Sequence, residues 1–201
     1  MEANPNKSEI ALQIKNAFDF IQNLYNESSY LIKEIEGQLA ESRFQILKPS
    51  GYSVNTRSST GLDQTNVNLW LLRKFSVAFV ERFESDLSTS QTSTEINEQL
   101  RVLYFRITLD EKGLSEPKLV FGVFYDITKS KDWVKKFENL MGQFEYVDNK
   151  MFAKFPDIEY GDSTFKLKGK FKKVNLLDIN SSDELIEKVI NPALKLYAKT
   201  E

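Results

Sequence analysis

Acidic residues followed two positions later by lysine are the first feature of this 201-residue chain with chemical potential. Asp110-Glu111-Lys112, Glu116-Pro117-Lys118 and Asp148-Asn149-Lys150 share that spacing, and Pro156-Asp157 supplies a companion dipeptide. A metal-dependent nuclease uses such a pattern on adjacent strands, where carboxylates hold Mg²⁺ and a lysine orients the attacking water. Here the triplets fall in segments rich in Asp, Asn, Glu, Gly and Pro, the composition of turns. A metal site would require two of Asp110, Glu111, Glu116, Asp126, Asp148, Asp157, Glu159 and Asp162 to lie within about 5 Å of one another in one cleft.

The most ordered charge feature is a stripe of lysines. Across 165–172, Phe165, Leu167, Gly169 and Phe171 alternate with Lys166, Lys168, Lys170 and Lys172. On a strand this puts four ammonium groups about 6.6 Å apart on one face. Such a row can follow a phosphate backbone or an acidic partner. It also suits the solvated face of an edge strand, where lysines discourage edge-to-edge pairing. No aromatic side chain is interleaved with the lysines to stack bases, which argues against single-stranded nucleic acid. A further anion-binding candidate is the loop 48–61, with Gly51, Gly61, several hydroxyls and Arg57, though no Gly-Lys-Ser/Thr follows to complete a phosphate-binding loop.

Two zeros in the composition exclude most other chemistry. The chain has no histidine and no cysteine. Zinc fingers, iron–sulfur clusters, histidine-ligated haem and the Ser-His-Asp and Cys-His nucleophilic systems are therefore ruled out. No disulfide can form, so stability rests on core packing. Carboxylate chemistry, lysine or tyrosine acid–base work and plain binding remain. With 27 basic and 29 acidic residues, the net charge of −2 gives no global field for nucleic acid or an anionic membrane. No apolar run reaches the ~18–20 residues of a membrane span, and no secretory leader pattern opens the chain. The expected setting is cytoplasmic.

The elements that must position these residues follow from periodicity. Residues 7–41 carry apolar positions at spacings of three and four, a helical stripe with a break expected near residue 28. The protein's own sheet is the expected cover for that stripe. A short strand is expected at 44–48 and a loop at 49–66. Residues 67–84 fit both periods, and their length favours a helix. A Ser/Thr-rich loop fills 85–97. The strands 100–109 and 118–127, apolar on both faces, form a central hairpin whose buried set is Val102, Phe105, Ile107, Phe121, Val123 and Tyr125. A middle helix at 129–141 is followed by a second hairpin (144–147 and 151–155) and a loop at 156–163. The lysine strand has a bulge expected at 172–173. Ser181 or Ser182 caps a last helix that buries Leu185, Val189, Ala193 and Leu196 and is kinked at Pro192. No solenoid repeat and no sustained heptad run stands out.

The order of elements predicts one α+β domain (1–201): a mainly antiparallel sheet with a long N-terminal helix, a middle helix and a C-terminal helix packed on it. The expected function is non-enzymatic binding of another protein or of a second copy, without cofactor, nucleic acid or membrane. The alternative is a carboxylate/Mg-dependent nuclease or phosphoesterase-like enzyme. The candidate binding residues are Lys166, Lys168, Lys170, Lys172 and Arg57.

Overall fold

The computed structural model describes residues 7–48, 50–55, 71–82, 99–110, 115–129, 140–144, 155–163 and 165–200. The chain divides into two compact units, Met1–Glu34 and Ile35–Glu201. Helix α1 (Lys7–Glu41) begins in the first unit and ends in the second. It runs unbroken through residue 28, because the Ser28 hydroxyl donates to the Leu24 carbonyl at 2.8 Å and so satisfies itself within the helix.

The second unit is built on a seven-stranded sheet in which every pairing is antiparallel. Its strands are β1 (Phe44–Ile46), β2 (Tyr52–Asn55), β3 (Lys74–Glu81), β4 (Val102–Thr108), β5 (Lys118–Lys129), β6 (Asp157–Gly161) and β7 (Phe165–Asn175). The order is β1-β3-β4-β5-β7-β6, with β2 also on β3. The fold is α+β. The β1 and β2 strands share the outer edge of β3 end to end. At their junction the Leu47 N–H donates to the Ala78 carbonyl at 2.9 Å and the Ala78 N–H donates to the Gly51 carbonyl at 2.8 Å.

The expected hairpin of β4 and β5 lies at the centre of that order. Val102, Phe105, Ile107, Phe121 and Val123 are all buried, while Tyr125 is only half-buried because β5 bends away just beyond it. One sheet face carries Tyr104, Phe124 and Phe171; the first two meet Phe144 of a helical turn at 140–144, and Phe171 packs on both of them. On the other face Phe105 stacks on Phe121. There Phe44 meets Tyr197 edge-on at 4.9 Å, and the Tyr197 hydroxyl donates to Glu81 at 3.1 Å.

Tyr197 belongs to the last helical stretch: α2 (Ser182–Leu185), a π-helical segment Ile186–Ile190, and α3 (Asn191–Ala198). Ser181 is the cap, its side chain accepting from the Glu184 N–H. The π turn comes just before Pro192, and the Asn191 N–H reaches back to the Ile186 carbonyl. That extra residue turns the helix so that Tyr197, not the expected Leu196, completes the buried face with Leu185, Val189 and Ala193.

Five further expectations are corrected. Within 67–84, residues 74–81 form a strand instead of a helix. Both faces of β3 are buried, and burial on both faces removes the two-residue alternation that would have announced it. Tyr52–Asn55, inside the expected loop, pairs with β3. Asp157–Gly161, also read as loop, pairs with β7, and Phe144, read as strand, is helical. No register shift occurs at 172–173; the irregularity lies in β5, between Tyr125 and Thr128. The rest of the middle helix, the 145–154 hairpin region and the 85–97 loop lie outside the described residues.

Two glycines set the β5–β7 contact. A Cβ on Gly122 would sit 2.1 Å from the Lys170 carbonyl oxygen and 2.7 Å from the Phe171 ring. Gly122→Ala is therefore expected to destabilise by about 1–3 kcal/mol through overpacking, against under ~0.5 kcal/mol for an ordinary surface change. Phe105→Ala should lose about 3–5 kcal/mol. Urea unfolding followed by circular dichroism measures both; a loss under ~1 kcal/mol at Phe105 would make β4 peripheral.

Candidate functional site

Lys166, Lys168, Lys170 and Lys172 do share one face of β7, with Phe165, Leu167, Gly169 and Phe171 buried behind them. The alternation is simple local physics: a strand sends successive side chains to opposite sides. The neighbours of the stripe are set by tertiary structure. The β7 strand is not an edge strand, because β6 pairs along its outer side. That pairing puts Asp157 opposite Lys170 and Glu159 opposite Lys168. Opposite charges at facing positions attract, so β6 offsets part of the lysine charge.

The third acid comes from the inner neighbour. Between Tyr125 and Thr128 the β5 register slips, and Asp126 takes a left-handed backbone, φ 51°. Aspartate tolerates that region better than most side chains. The slip aims its carboxylate at Lys168, whose ammonium donates at 2.9 Å. The contact holds the Lys168 pKa above the ordinary lysine value, chiefly through the hydrogen bond and charge of Asp126. A lysine acting as general base needs the opposite shift.

Asp126, Glu159, Asp162, Lys166 and Lys168 line a cleft of about 550 Å³ at this end of the sheet. Asp162 shapes its rim. One carboxylate oxygen accepts from the Phe165 N–H at 2.9 Å and the other from the Tyr160 hydroxyl at 2.6 Å. The cleft therefore alternates in sign, with each described acid engaged structurally or facing a lysine.

The other acids of the nuclease reading are dispersed. Asp110 pairs with Arg73 at 3.3 Å and Glu116 with Lys118 at 3.3 Å, while Glu111 and Asp148 lie outside the described residues. Among the described residues no group of three or more acidic side chains is placed to hold a metal ion. Arg57 likewise lies outside the described residues.

A second candidate surface is α1. Over residues 7–20 every position is exposed. Ile10, Leu12, Ile14, Phe18 and Phe20 are exposed large apolar side chains. The unbroken helix also brings out a recurrence that spacings of three and four concealed. Ile10, Ala17, Leu24 and Leu31 recur every seven residues, as do Ile14, Ile21 and Ser28 four positions on.

No helix among the described residues is long and apolar enough to cross a membrane. No protein-family model, curated protein or solved structure matches the chain.

Four unopposed phosphate contacts would give a slope of log affinity against log salt of about −3.6 on duplex DNA. With Asp126, Asp157 and Glu159 beside the stripe, the expected outcome is no duplex binding at physiological salt. A variant with Lys166, Lys168, Lys170 and Lys172 changed to Gln should fold within ~0.5 kcal/mol of the parent. Because the Lys168 pKa is raised on folding, its small contribution is complete below the ordinary lysine value and fades as pH rises through the raised one. Fluorescence anisotropy with labelled duplex across a salt series checks the binding, and salt-dependent binding lost in the variant would refute the expectation.

Proposed function

We propose that this chain is a non-enzymatic protein-binding protein that uses α1 as its docking element. One observation carries the reading: Phe18 and Phe20 are 70% and 69% exposed on a helix that also exposes Ile10 and Ile14. Isolated exposed apolar side chains are ordinary, but Ile10, Ile14 and Phe18, spaced four apart on one helix face, form a contiguous group of the kind that marks an interaction surface. A helix of this kind seats its apolar face in a groove or against another helix. The same reading accommodates the absence of histidine and cysteine, since docking requires neither. The raised Lys168 pKa also leaves that lysine unsuited to act as a general base. The proposed setting is cytoplasmic, with which a fold that relies on no disulfide is compatible.

The test places a photo-crosslinking amino acid at Phe18 of the full chain in the source cells, with the same probe at exposed Lys195 as control. The expected result is covalent adducts to protein from position 18 only. Adding Ile14→Asp should cut their yield about tenfold, the effect of losing one interface anchor. Position 18 giving no more adducts than position 195 would refute the proposal.

A further inference from the structure

We infer that the occupant of the α1 face is a second copy of this chain, paired helix to helix along the seven-residue seam; this rests on the docking role proposed for α1. The period is the first ground. An ideal helix drifts about 20° per heptad against a strict seven-residue repeat, roughly 40° over the span from Ile10 to Leu24 that the chain leaves exposed or half-buried. A flat surface does not follow that drift, whereas a helix supercoiled around its partner keeps the repeat in register. The face that fits such a seam is another helix with the same repeat. Each copy of the chain carries one, and a two-fold pairing uses the same face twice.

The residues agree with that placement. Ile10, Ile14, Ile21 and Leu24 form the knobs of the seam, and Ala17 leaves room at its middle. Phe18 and Phe20 flank the seam on its two sides, one residue after Ala17 and one before Ile21. In most coiled coils charged residues occupy such flanking positions. Two exposed aromatics there widen the apolar strip and give Phe20, off the main stripe, something to cover it. Ser28 continues the repeat but is already buried within its own chain, its hydroxyl donating to the Leu24 carbonyl, so the seam open to a partner ends at Leu24. Lys15 and Asp19 pair with each other on the side away from the seam, where they stay hydrated.

The available area is adequate. Fully covered phenylalanines bury about 150–250 Å² each and aliphatic side chains about 60–120 Å². Allowing for partial cover, Ile10, Ile14, Phe18, Phe20, Ile21 and Leu24 offer roughly 500–800 Å² per helix, close to the ~800 Å² per partner of a standard interface.

Sedimentation velocity on the full chain across a concentration series tests the inference. The expected wild-type result is a mass that doubles from the lowest to the highest concentration. Ile14→Asp should stay at monomer mass throughout, with unchanged circular dichroism. Phe18→Gln with Phe20→Gln, a milder pair at exposed positions, should shift the midpoint to at least about tenfold higher concentration. A wild type that remains monomeric overturns self-pairing; if the probe at Phe18 still captures a foreign protein, the docking role stands while this inference falls. A dimer that both variants leave intact overturns it as well, by placing the interface elsewhere. So does a monomer that floats with anionic phospholipid vesicles, since its helix would then be covered by lipid.

Discussion

The fold depends on a reciprocal exchange at the centre of β5 and β7. Gly122 faces Phe171, and Gly169 faces Phe124, so each glycine leaves room for the ring opposite it. The two rings then lie 4.8 Å apart and close against Phe144 and Tyr104. A Cβ at either glycine would collide with a ring or with main chain. This fixes register. A slip of one residue would send every side chain of β7 to the other face, driving four lysines inward and Phe165, Leu167 and Phe171 outward.

The charge pattern follows from that register. Once β7 is locked to β5, Lys168 falls beside the β5 irregularity, where Asp126 can reach it. Once β6 is paired on the other side, Asp157 and Glu159 fall opposite Lys170 and Lys168. A row of cations thus becomes a surface of mixed sign. Coulomb attraction between exposed groups at these distances is modest and screened by salt, so the pairs add little stability. Their effect on recognition is larger, because a polyanion approaching the lysines also meets carboxylates.

Burial on both sides of the sheet explains where the remaining polar groups sit. Tyr104 is fully buried, and its hydroxyl is satisfied by Ser76 on the neighbouring strand at 2.9 Å. On the opposite face Tyr197 donates to Glu81 while Arg101 lies over its ring at 4.1 Å and bonds the Tyr197 carbonyl. These contacts tie the C-terminal helix to the sheet by charge as well as by apolar area. Fully buried Ile35 and Leu39, with a Tyr52–Glu36 hydrogen bond, root the end of α1 in the same unit.

The sequence by itself determined what depends on neighbours along the chain. The missing histidine and cysteine closed off whole reaction classes. The apolar β4 and β5 runs marked the central strands, the strict alternation of 165–172 separated lysines from core residues, and Ser181 before two acids marked a helix start. Tertiary structure decided what depends on distant partners. Residues 74–81 became a strand because both faces are covered, which removes the period that distinguishes strand from helix. Asp157–Gly161 became a strand because main-chain groups of β7 were available to it, and such pairing leaves only a weak mark on side-chain pattern. The Asp126–Lys168 pair joins positions 42 residues apart, with no local signal linking them. Whether the α1 stripe met a cover or met solvent was likewise undetermined locally. Periodicity states that a face is apolar, and only the arrangement of the other elements states whether anything remains to bury it.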